Sequence, residues 1–420
     1  MPEANHGYRD KGFNRSWMLF LLMTIYVFNL MDRQVIAILA EPIRKDLLLA
    51  DTQLGLLTGM IFAMFYGVCG VPIAWLADRF GRIRVIGSAC VVWSICSAAG
   101  ALASNFLQLA AARIGVAVGE AGGTAPSHAL IADNFPVERR ATALGLYNLA
   151  IPIGSFLGIL LCGWIGENFG WRTAIAVVSL PGILIAAILF MTVAEPEKER
   201  PHVVTRSFWN AVLQFWQSPL LPNIVLAASA AQLAAMGLVA WLPSYLMRAK
   251  GMTLSDVGYY YGAANAIALG IGTYSGGYLS DRLSGPARRS YALLPGVSCA
   301  LGAPFVLFAI FAQSWQTSLM LFMIPIGLTS MVLAPAAALV QHEALPFQRG
   351  VFASTYLLVS NMIGAGIGPL LVGTISDLSG DKVGGEGLGL GIATLSLFML
   401  LATGLYFRLF RILPKRIIQT

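Results

Sequence analysis

The sequence predicts an all-α membrane protein whose twelve transmembrane helices form two pseudo-symmetric six-helix bundles. Three observations lead there. Of 420 residues, 57% are hydrophobic and 11% charged, against about 45–50% and about 25% in soluble globular chains; the mean hydropathy is +0.73. The apolar residues gather into runs of spanning length, and at roughly 20 residues per crossing there is room for about twelve. The two halves of the chain also repeat. Such a composition excludes a cytosolic enzyme, a nucleic-acid binder and a disulfide-stapled secreted domain.

In chain order the first half gives spans at 16–40, 52–76, 83–103, 106–132, 140–166 and 171–193. The second half gives 219–247, 255–279, 290–312, 316–341, 350–376 and 387–411. Asp32 and Arg33 interrupt the first run and no small-residue cleavage site follows it, so it reads as a retained helix. The polar stretch Glu195 to Pro201 divides the halves, setting domains at 1–194, a cytoplasmic linker at 195–218 and a second bundle at 219–420. Within the linker, Phe208, Trp209, Val212, Leu213, Phe215 and Trp216 recur at helical spacing beside Arg206, Asn210 and Gln214. That is an amphipathic helix suited to an interface, with extension of the seventh span as the alternative.

Counting Lys and Arg between spans puts nineteen on the side of the termini, six on the other and two, Arg33 and Arg113, inside spans, which accounts for all 27. Both termini are therefore expected in the cytoplasm of a cell with this protein in its inner membrane. The net charge of +7 is then topology, not a partner-binding patch. Cys69, Cys90, Cys96, Cys162 and Cys299 lie in apolar runs with no paired spacing, and read as small buried residues.

A shift of 203 lays Gly55, Gly59, Gly67, Asp78 and Arg79 onto Gly258, Gly262, Gly270, Asp281 and Arg282. A shift of 210 lays Arg139, Gly154, Gly158, Gly163 and Glu167 onto Arg349, Gly364, Gly368, Gly373 and Asp377. Parallel six-span repeats with a site between them are a transporter architecture. The glycines of the fifth and eleventh spans read as close-packing positions.

A charge at the bilayer centre costs roughly 2.5–3.5 kcal/mol on insertion scales. Four lie deep in spans, Asp32 and Arg33 in the first, Arg113 and Glu120 in the fourth; the second half has none. They must face one another or a wet cavity. Arg113 and Glu120, two turns apart, share a face with Thr124 beyond them. Asp32 and Arg33 diverge by about 100°, so one is expected to pack toward the fourth helix while the other addresses the cavity, with Asn29 on the stripe of Arg33. The functional reading makes Asp32 and Glu120 proton-titratable and Arg33 and Arg113 an anion site; a static network fixing two helices is the alternative. Trp241, Tyr245, Tyr260, Asn265 and Asn361 offer the second half an aromatic and polar but uncharged wall.

Between spans two and three the chain reads Gly70-Val-Pro-Ile-Ala-Trp-Leu-Ala-Asp78-Arg79-Phe-Gly81-Arg82-Ile-Arg84, with a degenerate copy around Asp281 and Arg282. A carboxylate at a helix end beside arginines suits a latch, so Asp78, Arg79, Arg82, Asp281 and Arg282 are gating candidates. His128 and His342, near span ends, read as structural. With no phosphate loop, metalloprotease motif or nucleophile elbow, neither enzyme chemistry, metal nor cofactor is expected.

This loop resembles the signature of the major facilitator superfamily, and the likeness extends over nearly the whole chain. Asn29-Leu-Met-Asp32-Arg33, Arg113-Ile-Gly-Val-Ala-Val-Gly-Glu120-Ala and Ala125-Pro-Ser-His-Ala-Leu-Ile-Ala-Asp133 are similar to its spinster and anion:cation-symporter branches. Ala150-Ile-Pro-Ile-Gly154-Ser-Phe-Leu-Gly158 looks spinster-like. The resemblance implies the major facilitator fold and alternating access, with Asp32 and Glu120 proton-linked and Arg33 a headgroup contact. Its spinster side implies a lysophospholipid or sphingosine-phosphate-like cargo, its symporter side a small organic anion such as a sugar acid. The partners expected are thus an amphipathic or organic anion, protons and the lipid bilayer, with a monomeric chain and no nucleic acid. A non-transporting ligand sensor is a further alternative.

Overall fold

The computed structural model describes residues 14–195, 208–283, 289–345, 348–380 and 385–413, which are helical throughout apart from turns. The first helix, Arg15–Ile38, starts where the Asn14 side chain accepts from the Ser16 and Trp17 amides. A short helix, Ala40–Leu47, precedes the second span, which runs as Asp51–Gly55, a π-helical turn Leu56–Met60 and Ile61–Phe80. Gly81, at φ 112°, turns the chain directly into the third span, Arg82–Gly100. The fourth is divided into Phe106–Glu120 and Thr124–Asn134. The fifth comprises Val137–Asn148 and Ala150–Phe169, the sixth Trp171–Ser179 and Pro181–Thr192.

In the second half the seventh span is one helix, Leu221–Lys250. The eighth repeats the second, with a π-helical turn Val257–Tyr261 before Gly262–Arg282. The ninth is Ser290–Phe311 and the tenth Trp315–Ser330 with Leu333–Glu343. The eleventh runs Arg349–Asn361, through π-helical Met362–Ile367, to Gly368–Ser379, and the twelfth is Glu386–Ile412.

Ten of these helices are long and apolar enough to cross a membrane on length and composition alone. The fourth is not counted because its break leaves segments of 15 and 11 residues. The eighth is not counted although Gly262–Arg282 is 21 residues long; Asn265, Thr273, Ser275 and Ser280 dilute its apolar content. Both were expected as ordinary spans, and both depart for local reasons. The fourth breaks at Ala121–Gly123, beside glycines that let it press on the third: a Cβ on Gly119 would lie 2.7 Å from the Trp93 amide nitrogen.

A separate helix, Phe208–Gln217, precedes the seventh span, from which Ser218, Pro219 and Leu220 divide it. Phe215 is fully buried against Phe352 of the eleventh span, while Leu213 and Trp216 are exposed. Linker residues 196–207 and the termini lie outside the described residues.

Buried apolar residues form two clusters. One, from Met18 to Val193, belongs to one end of the first bundle. The other is continuous from the opposite end of that bundle through the whole second bundle. The halves are therefore welded at the end where the second and eighth spans begin. There Gly163 meets Gly258 across the halves, and a Cβ on Gly163 would fall 2.7 Å from the Gly258 Cα. Any side chain at Gly163 would wedge the halves apart.

Candidate functional site

The four membrane-embedded charges resolve into two ion pairs of different character, both joining the first span to the fourth. Asp32 is 1% exposed and Arg113 4%. One Asp32 oxygen accepts from Ser97 and from Ser179 (3.1 Å); the other lies 3.4 Å from Arg113 Nη1. A single carboxylate so ties the first, third, fourth and sixth helices. Arg113 also lies over the Phe62 ring, 5.3 Å from its centroid.

Arg33, the next residue, points elsewhere. Its Nε donates to Glu120 Oε2 at 2.7 Å, and its side chain is 30% exposed while that of Glu120 is fully buried. The guanidinium lies 4.9 Å from the Tyr66 ring centroid and 5.2 Å from that of Phe62. Both arginines thus lie beside Phe62. The second Glu120 oxygen, Oε1, is buried with no hydrogen-bond partner. Asn29 is buried with its carbonyl oxygen unpartnered, and Thr124, half-buried, opens the second segment of the fourth span.

The structure also places the other expected substrate contacts. Arg113 is packed among helices against Asp32 and Phe62, with its Nε unpartnered. Trp241 and Tyr245 are each 2% exposed and donate to the backbone carbonyls of Pro369 (2.7 Å) and Ile310 (3.1 Å). Both serve packing at the closed end. Tyr260 is half-exposed and stacks on Trp315. Asn265 is buried with both amide atoms unpartnered. Asn361 is half-buried and accepts from Gln232 Nε2 at 2.7 Å, while Ser229 reaches Ser360 at 3.4 Å.

At the closed end, carboxylates of one half hold cations and helix starts of the other. Arg248 donates to both Asp51 oxygens at 2.6 Å and to Glu41 at 2.5 Å, and Ser376 adds a bond to Asp51. Burial raises the Glu41 carboxyl pKa, but hydrogen bonds and charge from Arg44 and Arg248 outweigh it and leave it below the ordinary range. Asp377 accepts from the Asp51 amide (3.0 Å), the Thr52 amide (2.7 Å) and the Thr52 hydroxyl (2.6 Å). Glu167 accepts from the Ser255 amide at 2.5 Å. These last two contacts are one motif used twice: offset 203 relates Thr52 to Ser255 and offset 210 relates Glu167 to Asp377. In each, a carboxylate ending one helix caps the positive start of a helix in the other half.

At the signature-loop end the first half carries a cluster around Arg82 and Glu195. Arg82 pairs with Asp133 and, at 3.6 Å, with Asp78. Glu195 accepts from the Arg82 and Arg84 amides at 2.6 and 3.2 Å, capping the third helix. Arg79 lies over Trp75 and Phe80. In the second copy Asp281 accepts from Tyr291, and Arg282 donates to Tyr278.

Residues 22–369 match the Major Facilitator Superfamily. The chain belongs to that superfamily. It is a multi-pass integral membrane transporter, as members of the superfamily are. It is 30% identical to an MFS-type efflux pump of Mycolicibacterium smegmatis over 92% of this chain and 90% of that one. It is 26% identical to the "Probable galactarate/D-glucarate transporter GudP" of Bacillus subtilis over 64% and 65%. A crystal structure of a bacterial homolog to the human lysosomal transporter Spinster, inward-facing and unoccupied, matches at TM-score 0.85 and 29% identity, covering 94% of this chain and 97% of that one.

Sequence reading of this transporter missed Phe62 and Tyr66, Ser97 and Ser179, the partners Asp133 and Glu195, and the latch formed by Glu41, Asp51 and Arg248. The two caps were within reach. Offsets 203 and 210 already placed their members in register, and a helix-ending acid opposite a helix-starting Thr or Ser is a legible signal.

Proposed function

We propose that this transporter moves an amphipathic anion, of lysophospholipid or sphingosine-phosphate type, by proton-coupled alternating access. The Arg33–Glu120 pair carries the reading. Arg33 is the embedded cation with an exposed edge, and the neighbouring rings Phe62 and Tyr66 of the second span both lie beside it. An anionic head that binds it competes with Glu120 for the guanidinium. A displaced Glu120 is a buried carboxylate with neither oxygen paired, a state that burial strongly disfavours. Taking up a proton removes the cost, so anion and proton enter together. Asp32, held by two hydroxyls and Arg113, is the second proton-coupling candidate, acting through the packing of the first helix.

The basic residues favour a cytoplasmic signature-loop end and termini in the inner membrane. The cross-half contacts at the other end then describe an inward-facing state. Asp78, Arg79, Arg82, Asp281 and Arg282 would re-pair between halves in the opposite state, when this end closes. A monomer with bundles at 1–194 and 219–420 around a 195–218 linker completes the reading.

A second reading, proton-coupled symport of a small organic anion, is favoured by the Gln232–Asn361 pair. A sugar acid needs hydroxyl partners that an acyl chain does not, and a named sugar-acid transporter is among the relatives. Proteoliposomes with an imposed pH gradient separate the two. Lysophospholipid uptake without glucarate uptake supports the first reading, and the reverse supports the second. Binding of either without flux identifies a sensor. Gradient-driven uptake unchanged in Glu120→Gln removes Glu120 from coupling.

A further inference from the structure

An apolar groove of about 550 Å³ opens at the signature-loop end between the first helix and the start of the fifth span. Leu19, Phe20 and Met23 form one wall, Ala143 and Leu146 the other. Its volume falls within the range of about 300–1,000 Å³ usual for ligand sites. The groove is separate from the transport site: ten residues of helix divide Met23 from Arg33, a rise of about 15 Å. Its depth in the bilayer is marked by Trp17, which is 37% exposed, stacks on Phe20 and donates to Thr192 at 2.9 Å. An amphipathic indole in that setting belongs at the level of the headgroups.

The mouth of the groove carries a cation with no partner among the described residues. Arg139 lines it, is exposed, and makes no side-chain hydrogen bond or ion pair among the described residues. Its neighbours are committed: Arg140 donates to the Phe135 carbonyl at 3.0 Å, and Arg82 holds Asp133. Arg15, exposed at the start of the first helix, adds positive charge at the same end. Apolar walls at membrane depth, with a guanidinium that has no partner among the described residues at headgroup level, match one acyl chain below one phosphate.

We propose that the groove is a binding site for an anionic phospholipid of the surrounding bilayer, with an acyl chain between the first and fifth spans and the phosphate on Arg139. The occupant is a resident lipid and not the cargo, so the proposal is independent of which anion the transporter moves. It predicts that an anionic leaflet stabilises the signature-loop end of the first bundle, where the first and fifth spans otherwise leave a gap.

Native mass spectrometry and thermal melting of the full-length protein in phosphatidylglycerol or phosphatidylcholine test it. The parent should retain phosphatidylglycerol through delipidation and melt higher in it than in phosphatidylcholine. Arg139→Ala should weaken that preference about fivefold, the effect of one basic residue at an anionic surface, and Arg139→Lys should keep most of it. Leu146→Trp, which fills a partly exposed wall, should lose retained lipid of either kind while melting normally in phosphatidylcholine. Arg140→Ala should behave as the parent. An undiminished phosphatidylglycerol preference in both Arg139→Ala and Leu146→Trp would overturn the proposal. So would lipid binding that begins only after residues 1–13 are removed, since the chain's own leader would then be the occupant.

Discussion

Asp32 and Arg33 are neighbours in sequence, and each pairs with an oppositely charged residue of the fourth span, yet the two pairs have little else in common. Asp32–Arg113 is sealed at both ends and shares two serines with the third and sixth helices. Arg33–Glu120 has one buried member with a spare oxygen and one member open at an edge. The 100° turn between consecutive helical residues creates this split. A pair buried at both members, even with Arg113 Nε left unpartnered, fixes helices; a pair with a spare acceptor and an exposed donor can change partners. One embedded charge pair is thus suited to architecture and the other to exchange.

The largest effect is expected at the sealed pair. Asp32→Ala leaves Arg113 buried without a counter-charge, and breaking a buried pair costs about 3–5 kcal/mol. Thermal melting should show a severely destabilised protein. Asp32→Leu with Arg113→Leu should recover most of the loss, since apolar replacement of a whole buried pair is close to neutral. A stable double variant that has lost gradient-driven uptake would give Asp32 a coupling role beyond architecture; one that keeps uptake would remove Asp32 from coupling and leave the contrast between the pairs complete.

At the open pair the expected result is inverted. Arg33→Ala should leave melting within about 1–2 kcal/mol of the parent, because Glu120 can neutralise itself by taking a proton. It should still lower anion binding by tenfold or more, the loss of one charge-assisted contact of about 1.5–3 kcal/mol. Equilibrium binding of the transported anion, measured beside melting, checks both. Arg33→Lys sharpens the point: it keeps the charge but not the planar stack on Phe62 and Tyr66, and an intermediate affinity is expected.

That the four charges had to meet one another or a wet cavity was legible in the sequence from their cost in hydrocarbon. The pairing was less so. Arg113 and Glu120 share a helix face by spacing, yet they bind different residues of the first helix, and both arginines lie beside Phe62, a second-span ring indistinguishable in sequence from core packing. The second-half wall is hard to read for a similar reason. Trp241 and Tyr245 have polar tips, and a polar tip satisfied by a backbone carbonyl looks, in sequence, like one waiting for a ligand. Span number and the duplicated loop were readable because they rest on composition and repetition. The break at Ala121–Gly123 was not, because glycine is common along the whole chain and only its packing against Trp93 gives it meaning.

The two closing caps extend the comparison from pairs to ends. Asp377 makes three bonds to the second-span start, Glu167 one to the eighth-span start. Asp377→Asn should therefore loosen the closed end more than Glu167→Gln. A carboxylate at a helix start is worth about 0.3–1 kcal/mol, up to about 2 when partly buried. Distances between spin labels on Lys45 and Leu378, both exposed and in opposite halves, should show a larger open fraction for Asp377→Asn. Equal fractions would mean that Arg248, not the caps, holds the end shut.

The smallest effect is the pH response of that same end. Glu41 is held below its ordinary value of 4.5 by Arg44 and Arg248, so its contribution to closure is complete above that value and fades only as pH falls through the lowered one. Asp46, hydrogen-bonded by Arg172, is likewise lowered from 3.8 but lies within the first half, and its titration should not move the halves. The Lys45–Leu378 distance distribution should consequently be flat from pH 8 to about 5 and shift toward opening only below about 4.5. A shift near neutral pH would show that closure is governed by a group buried in the bundle, with Glu120 beside Arg33 the first to examine. Glu120→Gln should then abolish that shift while leaving the acid one intact.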